Sequence, residues 1–147
     1  MTDRDDRAPK TPADFPPTLP PLPKTANDLP MDFHVAAELF NRGDYYEAHE
    51  LLEALWVGAA EPLRSLYQGI LQIGVAVHHL RGGNRRGALR LLESGARLLA
   101  PLGEIPAGVR CGDLGRVALT LRAELESGSW ETQLPPGGML PRIEFAD

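Results

Sequence analysis

The sequence predicts an all-α fold: a compact bundle of about five helices that opens with an αα-hairpin and is flanked by disordered or extended tails. Three observations predict it. Apolar residues recur at helical spacing in one segment after another. Glycines fall where those segments end, as they do at helix C-termini. No stretch shows the alternating β-branched pattern of a strand. The chain has 147 residues, the size of one domain. It divides into a Pro-rich disordered arm (1–30), a helical domain (31–127) and an extended C-terminal tail (128–147).

The arm holds eight of the 14 prolines. Proline removes a backbone donor and fixes φ, which excludes a helix interior or a central strand. The first helix spans about Met31 to Arg42, with Asp32 able to cap it. Its Phe33, Ala36, Ala37 and Phe40 form one apolar stripe, and Gly43 stops it. The second runs from about Asp44, a good N-cap residue, to Gly58. The turn between them is so short that the two must fold back as a hairpin.

The third helix starts near Pro62 and ends at Gly82-Gly83. From Ser65 to Val77 it carries no charge and is apolar on nearly every side. That pattern marks a central helix. Gly69 and Gly74 inside it cost roughly 1 kcal/mol each against Ala, which close approach of a neighbouring helix would offset. Asn84 caps a fourth helix through about Ala100. Its face of Ala88, Leu91, Leu92, Gly95, Leu98 and Leu99 is buried, and its arginines face solvent. Residues 103 to 111 read as a loop, and Asp113 to Glu126 as a fifth helix.

Composition bounds the function. Net charge is −5 and pI about 5.4, against the basic excess of nucleic-acid proteins. The N-terminus has no apolar signal-peptide core. The most apolar run, Leu66 to Leu80, is 15 residues, short of the roughly 20 that span a membrane. The expectation is a cytoplasmic, soluble protein with no membrane role. One cysteine, Cys111, excludes an internal disulfide. Arg81, Arg85, Arg86 and Arg90 near GGNRRG offer charge for a phosphate at the fourth helix N-terminus, but they lack the spacing of a P-loop and read first as a solvated face.

The second helix carries the one unusual pattern. Tyr45, Ala48, Leu52 and Leu55 form one stripe, and Tyr46, His49, Glu53 and Trp56 the stripe beside it. His49 and Glu53 thus stand one turn apart between two aromatics, at a position expected to be at least half buried. A buried imidazole or carboxylate needs a partner. Gln68, Gln72 and His79 share a line on the third helix, with His78 beside it. Antiparallel packing would bring the two sets together.

Three readings stay open. The first is a buried hydrogen-bond network that fixes helix register, in a binding or scaffold module with a protein partner or a second copy. The second is a divalent-metal site, with His49, Glu53, His78 and His79 as ligands and Glu50 as general base of a hydrolase. The third is an organic-ligand or acid/base pocket. The His-Glu-x-x-Glu order departs from the His-Glu-x-x-His of zinc proteases and lacks the paired Glu-x-x-His of di-iron bundles.

Several blocks in order resemble a known family. They are Phe40-Asn41-Arg42-Gly43, then Tyr45-Tyr46-Glu47-Ala48-His49-Glu50 with Glu53 and Trp56, then Gln68-Gly69-x-x-Gln72, His78-His79-x-x-Gly82-Gly83-Asn84 and Gly87-Ala88 with Leu91-Leu92. Together, across about residues 33 to 100, they resemble domain-of-unknown-function family 309. The resemblance implies a compact all-α bundle and brings no activity with it. It singles out His49, Glu50, Glu53, Trp56, Gln68, Gln72 and Asn84 as a binding or polar cluster.

Overall fold

The computed structural model describes residues 22–128 and 140–146. Five α-helices follow one another: α1 (Met31–Arg42), α2 (Tyr45–Val57), α3 (Leu63–Arg81), α4 (Arg85–Leu99) and α5 (Cys111–Glu126). Each packs on the one before it, α1 on α2, α2 on α3, α3 on α4 and α4 on α5. No strand forms among the described residues, only an antiparallel bridge between Val109 and Phe145. Among the described residues, no helix is long and apolar enough to cross a membrane.

The periodic stripes become the core. Phe33, Ala36, Ala37 and Phe40 of α1 are buried, as are Tyr45, Ala48 and Leu52 of α2. Gly43 ends α1 at φ +91°, where a Cβ would be strained. Its N–H bonds to the Phe40 carbonyl at 3.0 Å, and the Asp44 N–H to the Leu39 carbonyl at 2.9 Å. This is a Schellman closure, which satisfies two orphan carbonyls and sets the hairpin turn. Arg81, at the end of α3, locks that turn from outside. It donates to the Gly43 carbonyl at 2.6 Å and lies 4.8 Å above the Tyr45 ring.

α3 is the central helix, with Leu66, Tyr67, Ile70, Ile73, Ala76 and Val77 buried. Its two interior glycines are explained by different neighbours. A Cβ on Gly69 would sit 2.8 Å from Leu99 Cδ2 and 3.1 Å from the Gly95 carbonyl oxygen of α4. A Cβ on Gly74 would sit 3.0 Å from the Phe40 ring. The helix cost of glycine is offset by close approach, of a backbone in the first case and an aromatic ring in the second.

The expected caps are only partly realised. Asn84 does cap α4, its Oδ1 accepting the Gly87 N–H at 2.9 Å. Asp44 precedes α2 but caps nothing through its side chain. Its carboxylate instead accepts two bonds from Arg42, at 3.1 and 3.0 Å. Pro30, not Asp32, occupies the N-cap position of α1. α5 starts at Cys111, and the loop before it contains two short 3₁₀ turns, Ala100–Leu102 and Pro106–Gly108.

The described flanks pack on the bundle. Of the Pro-rich arm, residues 1–21 lie outside the described residues. Residues Ala26–Asp28 form a 3₁₀ turn, and Leu29 is buried. Of the tail, the Pro-Pro-Gly-Gly stretch also lies outside the described residues. Residues 140–146 run extended between α1 and the 108–110 loop. There Ile143 is 2% exposed and Phe145 stands 6.2 Å from Phe33 and 5.3 Å from His34, ring to ring.

Candidate functional site

α2 is flanked by α1 and α3, so only part of its circumference is covered. Tyr45, Ala48 and Leu52 point into the core. One stripe further round, His49 is half-buried and Glu53 is exposed. Glu53 therefore does not occupy the half-buried position that the stripe suggests. It lies beyond the edge of what α1 and α3 cover. Tyr46 (61% exposed), Glu50, Glu53 and Val57 (67% exposed) form the outward face. No polar or charged side chain among the described residues is fully buried; of the cluster, His49, Trp56, Gln68 and Gln72 are half-buried, and Glu50, Glu53 and Asn84 are exposed.

Trp56 borders this face. Arg64 of α3 lies 5.0 Å above its ring and donates to its carbonyl at 3.4 Å. The indole Nε1 is enclosed without a hydrogen-bond partner. That donor is left at a cost of order 1–3 kcal/mol.

The α3 residues do not complete the cluster. Gln72 accepts a hydrogen bond from the Ser94 hydroxyl of α4. It sits one position before Ile73, whose Cγ1 fills the space over Gly95. The line of Gln68, Gln72 and His79 therefore borders α4, not α2. His79 Nδ1 stands 3.5 Å from the Asn84 amide at the α3–α4 turn, and His78 is exposed with its ring 6.4 Å from that of His79. Asn84 serves as a helix cap. The sequence-selected residues thus fall into three places: the α2 face, the α3–α4 seam and the α3–α4 turn. Among the described residues no three of His, Cys, Asp and Glu converge as a ligand set. His49, Glu53, His78 and His79 are not brought together.

One concavity lies elsewhere, beside α5. A half-open cleft of about 200 Å³ lies between the end of α4 and the start of α5, lined by Leu99, Glu104, Cys111, Arg116 and Leu119. Arg116 at its rim is neutralised by Glu104 at 2.9 Å and Asp113 at 2.5 Å. Burial pushes the Cys111 thiol up to about 12, so it is no nucleophile at neutral pH.

Sequence reading gave Asn41 and Ser94 no role, and it placed Arg81 on a solvated face although it closes the α1–α2 turn. Asn41 stands inside one of the recognised blocks, but its partner Ile143 is 102 residues away. Nothing local signals that contact.

Comparison with known proteins separates these places. An uncharacterised protein of Aquifex aeolicus is 29% identical over 98 residues, 66% of this chain and 28% of its own length. The uncharacterised protein YpuF of Bacillus subtilis is 36% identical over 78 residues, 52% of this chain and 41% of its own. The chain spans less than half the length of either relative. The model of DUF309, a domain of unknown function, matches residues 33–91. That span includes the α2 face, Asn41, Gln68, Gln72, His78, His79 and Asn84, and excludes the cleft beside Cys111. The similarity to DUF309 thus runs from the buried stripe of α1 through the first half of α4.

Proposed function

We propose that the protein is a helical binding module that docks a basic protein segment on the outward face of α2. The observation that carries this reading is the composition of that face. Tyr46 and Val57 stand exposed at its two ends, roughly 16 Å apart along the helix. Glu47, Glu50 and Glu53 lie between them, all exposed and without an ion-pair partner among the described residues. Folding asks for none of these side chains, yet they lie in the DUF309 segment. Apolar anchors rimmed by one sign of charge suit a partner with apolar residues flanked by Lys or Arg. His49 and Trp56 form the inner edge of the surface.

The test is a photo-crosslinking side chain placed at Tyr46 of the full chain, with the same group at Thr120 on α5 as control. The full chain is exposed to extract of the cells that make it. The expected result is one adduct at position 46 only. Its yield falls roughly tenfold with Glu50→Lys and Glu53→Lys, and falls with added salt. Equal yields at both positions, or a yield indifferent to the charge reversals, would refute the reading.

The hydrolase reading, with Glu50 as base and His49, Glu53, His78 and His79 as ligands, draws less support, because no three such ligands converge among the described residues. Stoichiometric Zn²⁺, Mn²⁺ or Fe²⁺ in protein purified without chelator, lost on His49→Ala, would restore it.

A further inference from the structure

Residues 140–146, Leu-Pro-Arg-Ile-Glu-Phe-Ala, are held as a guest strand is held. Pro141 and Ile143 are buried and Phe145 is half-buried, while Arg142 and Glu144 are exposed. That is the period-2 alternation of an extended chain lying on a surface. Both backbone edges of the segment are bonded. On one edge the Asn41 carboxamide pairs with Ile143 alone. Its Oδ1 accepts the Ile143 N–H at 2.7 Å and its Nδ2 donates to the Ile143 carbonyl at 2.8 Å. One side chain thereby reproduces the two-bond exchange of an antiparallel strand pair. On the other edge the Arg110 N–H donates to the Glu144 carbonyl at 2.8 Å, and the Ala146 N–H to the Gly108 carbonyl at 2.7 Å.

We infer that the groove between α1 and the 108–110 loop is a peptide-binding site for extended segments with apolar residues at alternate positions, and that residues 140–146 are its displaceable resident. Three observations support this. The hydrogen bonds that seat the segment are main-chain bonds on its side, so they read backbone geometry and not sequence, as in β-strand addition. The exposed side chains contribute little. Among the described residues, Arg142 reaches the Asn41 carbonyl, at 3.4 Å, and Glu144 of the segment itself, at 3.8 Å. The seat is also incompletely filled. A cleft of about 130 Å³ runs between the segment and α5, lined by Leu140, Arg142, Arg110, Leu114 and Val117. A bulkier residue than Leu140 would find room there.

Asn41, the side chain that reads the guest backbone, lies in the span matched by the DUF309 model, while the 108–110 wall of the groove and the resident both lie outside it. The partner this fits is an extended peptide of pattern Pro-x-Ile-x-Phe, or a close apolar equivalent, from another protein. A tethered resident competes at high effective concentration and lowers the apparent affinity for such a peptide.

The probe is the fluorescein-labelled octapeptide Leu-Pro-Arg-Ile-Glu-Phe-Ala-Asp, titrated into the full chain and followed by anisotropy. The full chain carrying Ile143→Ser and Phe145→Ser, which weakens the resident, should bind the probe roughly tenfold or more tighter than the unmodified chain. Adding Asn41→Ala to that variant should remove the gain. A variant that keeps its helical circular dichroism and binds no tighter than the unmodified chain would overturn the inference. Hydrogen exchange on the unmodified chain gives a second reading that needs no variant. The Ile143 and Ala146 amides should exchange roughly tenfold or more faster than those of Ile70 and Ile73, through local release, and faster still with excess unlabelled peptide. Exchange at the α3 rate would mean that the segment leaves only when the bundle unfolds, and the groove would then be plain core.

Discussion

At the crossing of α3 and α4, a Cβ on Gly95 would sit 2.7 Å from Ile73 Cγ1 and 2.9 Å from the Gly69 carbonyl oxygen. On the outward face of α2, Glu50 and Glu53 have no partner in the described structure. The crossing holds glycines in helix interiors, and the α2 face holds exposed Tyr46 and Val57 beside those glutamates, which an ordinary amphipathic helix would not choose. At the crossing, packing accounts for every one of them. Glycine permits the backbones to meet, Ile73 fills the gap, and the Ser94 hydroxyl bonds to Gln72. On α2, packing accounts for none of the exposed set. Unusual residues explained by contact belong to the fold, and those left over mark where the molecule meets something else.

The comparison breaks most visibly at Ile73, which is fully buried. Ile73→Ala should lower unfolding free energy by about 2–5 kcal/mol in urea denaturation, the range for a buried aliphatic truncation. A loss well under that would mean that the crossing is looser than its distances say. Gly95→Ala comes next. Helix propensity alone favours alanine by roughly 1 kcal/mol, but the methyl would press on Ile73 and on the Gly69 backbone. The expected net loss is about 1–3 kcal/mol. A gain in melting temperature would show that α3 and α4 can part freely. The smallest effect belongs to α2. Glu50→Gln with Glu53→Gln should change stability by no more than about 0.5 kcal/mol. A larger loss would return these carboxylates to the fold and remove the basis for a recognition face.

The helices were legible because a 3.6-residue period survives in every one, and because Gly43, Gly82 and Asn84 punctuate them. The two interior glycines of α3 were legible for the same reason. A neutral helix apolar on nearly every side must have neighbours all round, and some must be close. The site was less legible. Whether Glu53 is covered depends on how far α1 and α3 reach round α2, a width that no pattern within α2 encodes. Gln72 stands on a line that borders one neighbour or another according to the handedness of the packing, and it turned to α4 instead of α2. Asp44 lost its cap role to a competing local partner, Arg42. Asn41 met Ile143 across 102 residues of sequence, a contact that leaves no local trace.

Cys111 closes the first turn of α5 against the end of α4, 1% exposed. A thiol held up to about 12 by burial is almost wholly protonated at neutral pH, and reagents attack only the thiolate. Once α5 lifts away, the same thiol returns to the ordinary range near 8.5 and becomes reactive. The rate of alkylation therefore counts openings of α5, and the chain carries its own chemical clock for that motion with no label added.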